Sequence, residues 1–230
     1  MTSPPEQYRL PLPLDWPALG REAFLVGAGN GAAVAWIDRW PSWPAPALVL
    51  SGPAGSGKSH LAAVWSTRAE SCLIEGQSLT AASVPELIEA GRALVVEAAE
   101  AAPEPSLLHL YNGVVERGRS LLLTAREPPA RWGIGLADLR SRLLALPVAE
   151  LGPPDDALIR AVLSKRFADR QLAVTDEVIE YLALRIERSF AEIGRVVAAL
   201  DTASLAMHRS ITLVLAQQVL KDIGPTEQDG

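Results

Sequence analysis

Cysteine occurs once in the 230 residues, at Cys72. No internal disulfide can form, so burial alone must hold the chain together, and a reducing, cytoplasmic compartment is expected. Lysine is nearly as scarce. Lys58, Lys165 and Lys221 stand far apart, which leaves no lysine-rich tail to act as a nucleic-acid or membrane patch. The formal net charge is −6, whereas tight binding to duplex DNA relies on neutralising phosphates, so direct DNA binding is not expected as the main activity. The opening residues, MTSPPEQYRLPLPLDW, lack a basic segment followed by an unbroken apolar run and do not read as a signal peptide. No window is apolar for long enough to cross a bilayer.

What the chain does contain is enough apolar sequence, 49% of residues, for a sizeable core. Three regions separate. Residues 1–14 carry Pro4, Pro5, Pro11 and Pro13, which block helix and favour extended backbone. Residues 15–150 alternate short apolar runs with helical patterns. The runs ALVLS (47–51), SCLIE (71–75), ALVVE (93–97), SLLLT (120–124) and the less clear LALPVAEL (144–151) read as strands buried on both faces. Helices fit near 30–40, 58–68, 81–91, 106–117 and 136–144. This rhythm predicts an α/β domain with a parallel sheet and flanking helices. From residue 151 onward the pattern becomes helical throughout, with four amphipathic segments. Leu158, Ile159, Val162, Leu163 and Phe167 share the first face, Thr175 suits a cap, and Ser189 with Glu192 has capping-box spacing.

Gly52, Pro53, Ala54, Gly55, Ser56, Gly57, Lys58 and Ser59 fit G-x-x-x-x-G-K-[ST], between an expected strand and an expected helix. Glycines let backbone N–H groups turn inward around phosphate oxygens, and the helix N-terminus adds its positive end. Lys58 is expected to reach the β- and γ-phosphates and Ser59 to bind Mg²⁺, with ADP or ATP as the ligand. His60 follows directly and is counted with the nucleotide-binding set. Hydrolases with such a loop end a later strand in an aspartate that helps to hold the metal, often beside an acid that orients water. Here the strand ends in Glu97 and continues with Ala98, which can neither take a proton nor orient water. Glu97 reads equally as a metal ligand and as an ordinary strand-end carboxylate. Glu100 falls past the strand end and is a poor substitute. Intrinsic ATP hydrolysis is therefore expected to be slow or absent.

Four segments in order, FLVGAGNGAAVAWIDRW, GPAGSGKSHLA, SLLLTAREPP and LRSRLLALPVAELGPPDD, resemble the AAA+ module of the replication initiator DnaA. They are closer still to the shorter DnaA-related regulators of the Hda type, especially alphaproteobacterial ones. The resemblance covers about residues 6–222. It implies a P-loop AAA+ sheet with a small four-helix lid, divided as a tail (1–14), a nucleotide-binding domain (15–150) and a lid (151–230). The sequence ends soon after the lid, so the initiator's helix-turn-helix domain is not expected in it.

The resemblance places Phe24, Val26, Gly27 and Asn30 near the adenine, with Asn30 also suited to capping a helix. It places Thr124 near the γ-phosphate and makes Arg142 an arginine finger directed at a neighbouring subunit's nucleotide. On the residues alone Arg142, like Arg140, reads as a surface ion-pair arginine. A second sensor arginine is expected in the lid, but its place falls on Ala191 or Glu192, with Arg188 and Arg195 as substitutes. Gln7, Tyr8, Leu10, Pro11 and Leu12, in QYRLPL, resemble the sliding-clamp-binding motif of these regulators, with Tyr8 in place of leucine. The expected function is negative regulation of replication initiation. A nucleotide-bound adaptor would bind the clamp and promote hydrolysis of DnaA-bound ATP in trans. DNA would be touched mainly through the clamp, no membrane is involved, and a homodimer is compatible. The alternative is a self-sufficient AAA+ ATPase of the helicase-loader type.

Overall fold

The structure is a computed structural model that describes residues 21, 24–90, 93–207 and 209–224. Its residues group into two compact units. The first contains Asn30–Pro53 and Lys58–Gly152 together with the described residues up to Phe24. The second contains Leu25–Gly29, Ala54–Gly57 and the residues from Pro153 onward.

Five parallel strands form the first unit's sheet: β1 (Ala47–Ser51), β2 (Cys72–Glu75), β3 (Ala93–Glu97), β4 (Ser120–Ala125) and β5 (Val148–Glu150), in the order β2-β3-β4-β1-β5. α1 (Gly31–Asp38) precedes β1, and α2 (Lys58–Ala69), α3 (Ser83–Ala90), α4 (Glu104–Glu116) and α5 (Ala137–Leu144) run between the strands. Side chains alternate across each strand, and both faces are apolar because both are covered. Leu48, Leu50, Val95 and Leu122 pack with α1 and α2. Ala47, Val49, Leu94, Val96, Leu121 and Leu123 pack with α3, α4 and α5. The α/β parallel sheet expected from the apolar runs is thus the one observed. α4 starts two residues before the expected position because Pro105 is tolerated in a first helical turn, where its missing N–H has no partner to lose. β5 is only three residues long, since Leu143 and Leu144 belong to α5 and Pro147 intervenes.

A tryptophan cluster fills the α2 side. Trp65 is fully buried, stacks on Trp43 at 5.4 Å and meets Trp40 edge-on at 5.8 Å. Trp43 Nε1 donates to Trp36 O at 2.7 Å, and Trp40 Nε1 to Ser120 Oγ at 2.9 Å.

The second unit holds α6 (Asp156–Asp169), α7 (Asp176–Ala183), α8 (Phe190–Met207) and α9 (Leu213–Ile223) around a core that includes Ile159, Leu163, Phe167, Leu182, Ile193, Val197 and Leu200. Asp155 caps α6 by accepting from Leu158 N at 2.7 Å, and Thr212 caps α9 by accepting from Leu215 N at 3.3 Å. Thr175 occupies the N-cap of α7 without a side-chain cap bond. The expected capping box is half made. Ser189 Oγ accepts from Glu192 N at 3.1 Å, while the Glu192 carboxylate pairs with Arg195. Among the described residues no helix is long and apolar enough to cross a membrane.

Candidate functional site

The loop Gly52–Ser59 leaves the carboxyl end of β1, where Gly52 N donates to Ala125 O at 3.2 Å, and enters α2 at Lys58. Open parallel sheets bind ligands at this end. Gly55 and Gly57 have φ of +70° and +95°, conformations that favour glycine. Space reinforces the requirement within the second unit. A Cβ on Gly55 would lie 2.4 Å from Ser189 Cβ, and one on Gly57 would lie 3.1 Å from Phe190 Cε2. Phe190 N donates to Gly55 O at 2.9 Å.

Within the first unit the lysine folds onto its own loop: Lys58 Nζ donates to Gly52 O at 2.7 Å and to Pro53 O at 2.8 Å. Burial pushes its pKa below the ordinary lysine value, and Arg126 pushes the same way, against Glu100 and Glu97. An ammonium held at the mouth of a glycine turn fits a phosphate ligand. In the second unit Ser56 Oγ is buried without a hydrogen-bond partner among the described residues. Ser59 lies near enough to Glu97 to favour its charged form, which brings together two oxygen donors of the kind Mg²⁺ prefers. Burial raises the Glu97 pKa and the facing Glu75 raises it further, against Ser59 and Lys58. Among the described residues no group of three or more His, Cys, Asp or Glu side chains is arranged to hold a metal.

After Glu97 the chain turns sharply. Ala98 is left-handed, with φ 48° and ψ 51°, and its N–H donates to Thr124 Oγ1 at 3.2 Å. The buried Thr124 hydroxyl therefore holds the turn between β3 and the single helical turn Ala99–Ala101. Glu100 lies past the strand end, as its position in the sequence suggests, yet its carboxylate returns to the site. It accepts from Arg126 N at 2.7 Å, and Lys58 feels its charge. The sequence marks Glu100 only as a poor substitute for the missing acid and does not mark Arg126, because their contact depends on β3 and β4 being neighbours.

The remaining candidates are distributed as follows. Phe24 is buried with its ring centre 5.0 Å from that of His60, the two rings meeting edge-on. Asn30 occupies the N-cap of α1 and its carbonyl accepts from Val34 N at 2.9 Å, but its side chain makes no cap bond. In the second unit Val26 is 53% exposed, Gly27 lies against Leu158, and Ala28 N donates to Asp155 Oδ2 at 3.2 Å. Asp155 thus ties two segments, and both backbone donors hold its pKa below the usual carboxylate range.

Arg142, 38% exposed on α5, donates from Nε to Asp138 Oδ1 at 2.9 Å and lies 5.8 Å from the Tyr111 ring centre. Arg140 is exposed on the same helix. In the lid Ala191 is exposed and Glu192 buried. Arg195 grips Glu192 through Nε and Nη2 at 2.8 and 2.7 Å and also donates to Ile223 O and Gly224 O, both at 3.0 Å. Its guanidinium is thereby taken up by the end of α9. Arg188 pairs with Asp156 at 2.8 Å. Gln7, Tyr8, Leu10, Pro11 and Leu12 lie outside the described residues. The sheet unit thus gathers Lys58, Ser59, Glu97 and Thr124 at its carboxyl end, joined by Glu100 and Arg126.

Comparison with known proteins agrees with this geometry. Residues 155–220 match the Hda lid-domain family. The chromosomal replication initiator protein DnaA of Thermomicrobium roseum is 27% identical, over 87% of this chain and 49% of that protein. The chain therefore spans about half the length of that relative. Domain III of the Thermotoga maritima initiator DnaA superposes with a TM-score of 0.77 at 19% identity, covering 89% of this chain and 96% of that one. AMPPCP-bound DnaA from Aquifex aeolicus gives 0.70 at 16% identity, covering 84% and 68%. The two structural likenesses are likenesses of fold. Taken together, the chain is similar to the initiator DnaA and, over residues 155–220, to the Hda lid domain, and its fold is that of the initiator's domain III.

Proposed function

We propose that this protein binds a nucleotide at Gly52–Ser59 and regulates replication initiation by acting on the nucleotide of DnaA. The observation that carries the reading is the combination of an intact phosphate loop with Ala98 after Glu97, on a DnaA-like sheet that has an Hda-type lid. Lys58 and the loop amides hold the phosphates. Ser59 and Glu97 are the residues that would hold Mg²⁺, which when bound neutralises phosphate charge. With methyl-bearing Ala98 where a water-orienting acid would be useful, turnover in cis is slow and the nucleotide serves chiefly to keep the fold competent.

Arg142 is the group offered to the partner. A guanidinium supplied in trans to a phosphoryl transfer site is worth roughly 10³–10⁵ in rate. Its ion pair with Asp138 is partly exposed and therefore weak enough to be exchanged for phosphate. Gln7, Leu10, Pro11 and Leu12 dock as an extended peptide in a groove of the sliding clamp, with Tyr8 alongside. The test is hydrolysis of DnaA-bound ATP, measured with and without DNA-loaded clamp. Wild type accelerates it, and Arg142→Ala, still folded and nucleotide-bound, does not. Undiminished acceleration by the variant would move the finger elsewhere. Rapid ATP turnover by the protein alone, unchanged by Arg142→Ala, would favour a self-sufficient ATPase.

A further inference from the structure

Arg126 has no role in the reading above, yet the fold places it beside the phosphate loop. β4 pairs with β1 so that Ala125 lies opposite Ser51, and Gly52 N donates to Ala125 O at 3.2 Å. Arg126 therefore leaves the sheet next to the first glycine of the loop, whose carbonyl accepts from Lys58 Nζ at 2.7 Å. Its main chain is pinned independently of its side chain, because Glu100 Oε1 accepts from Arg126 N at 2.7 Å. The side chain is exposed, and its guanidinium makes no hydrogen bond or ion pair among the described residues. It is near enough to Lys58 for the ammonium to feel its charge. Arg142, Arg188 and Arg195 differ in this respect, since all three have carboxylate partners.

Two cations placed side by side repel unless an anion lies between them. Glu97 and Glu100 supply part of the balance, but the Glu100 carboxylate is already engaged by a backbone N–H. A guanidinium presents paired donors that match two phosphate oxygens, which an ammonium cannot do.

We propose that Arg126 is a second phosphate-binding cation in cis, beside Lys58, and that it favours a nucleoside triphosphate over a diphosphate. The proposal rests on the nucleotide reading of Gly52–Ser59. The test uses the full chain and measures Kd for AMPPCP and for ADP, each with Mg²⁺, together with thermal melting. The proteins are wild type, Arg126→Ala, Arg126→Lys and Lys58→Ala. Loss of a charge-assisted hydrogen bond corresponds to about ten- to a hundredfold in affinity. Arg126→Ala should therefore weaken AMPPCP at least about tenfold, ADP less than about threefold, and leave melting unchanged, because the Glu100 bond goes to the main chain. Arg126→Lys should fall between. Equal losses for both nucleotides, or no loss for either, would overturn the proposal. Unchanged affinities in Lys58→Ala, or no binding by wild type, would overturn the underlying nucleotide reading instead.

Discussion

Replacing Arg195 by alanine separates a structural arginine from a phosphate-sensing one. Its guanidinium makes two bonds to the Glu192 carboxylate, at 2.8 and 2.7 Å, and two more to the carbonyls of Ile223 and Gly224, at 3.0 Å. Removing one partner of a fully buried pair costs about 3–5 kcal/mol, whereas an exposed pair is worth about 0.2–1 kcal/mol. Glu192 is 8% exposed and Arg195 34%, so water can reach the cavity but not fully rehydrate the acid. About 2–3 kcal/mol is the intermediate value, and the two carbonyls, at a helix end that water can reach, add less than about 1 kcal/mol. For a cooperative unit the size of this chain, about 3 kcal/mol lowers Tm by about 6–12 °C. Circular dichroism melts of wild type and Arg195→Ala read this directly, and nucleotide affinity should be unchanged. Arg195→Lys should recover roughly half, since an ammonium can meet one carboxylate oxygen but cannot span to both carbonyls. A melting temperature within about 2 °C of wild type, or a tenfold loss of nucleotide affinity without destabilisation, would refute the assignment.

Further expectations concern the loop, the turn after β3 and the tail. Gly76→Ala places a Cβ 2.4 Å from Ala98 O; the forced backbone shift should cost about 1–3 kcal/mol, seen as a lower denaturation midpoint, and an unchanged midpoint would show that the turn yields freely. Burial raises the Glu97 pKa, so the folded state loses stability as pH rises from its ordinary value of 4.5 through the raised one. Glu97→Gln should accordingly be more stable than wild type at pH 7–8 and equal to it below about pH 4; parallel melting curves across that range would contradict this. Asp155 has a lowered pKa from the amides of Leu158 and Ala28. Its tie is complete above 3.8, the ordinary value, and is lost as pH falls through the lowered one. Asp155→Ala should remove hydrogen-exchange protection of those two amides at neutral pH, and retained protection would show other anchors. Gln7→Ala with Leu10→Ala should abolish retention on immobilised clamp while leaving ADP binding intact, and continued retention would count against the tail assignment.

The parts of the site legible from residues alone are those built from contiguous chain. The phosphate loop needs glycines, Lys58 and Ser59 at fixed spacing, and the strand that feeds it is an unbroken apolar run. The four amphipathic segments of the lid announce their buried faces by helical spacing, and Ile159, Leu163 and Phe167 are indeed core. Contacts that depend on which strand lies beside which escape such reading. Glu100 is 26 residues from Arg126, and only the β3–β4 neighbourhood brings them together. Arg195 and Glu192 are three apart on one helix face, yet the carbonyls that complete the arrangement lie 28 and 29 residues away. The left-handed turn at Ala98 has no signature either, since alanine is not a residue that marks that conformation. Asn30 is a good capping type at a true N-cap, but its side chain makes no cap bond.

The stacked indoles of Trp43 and Trp65 have an optical consequence. Among the described residues every tryptophan, from Trp36 to Trp132, lies in the first unit, so ultraviolet emission that these rings give when excited at the red edge reports the sheet unit. The near-parallel rings, inclined by 16°, form a coupled chromophore whose signal vanishes when α2 leaves its strands. Backbone ellipticity comes from the helices of both units. A single heating ramp followed by emission and by ellipticity therefore compares the sheet unit with the whole chain, without a label.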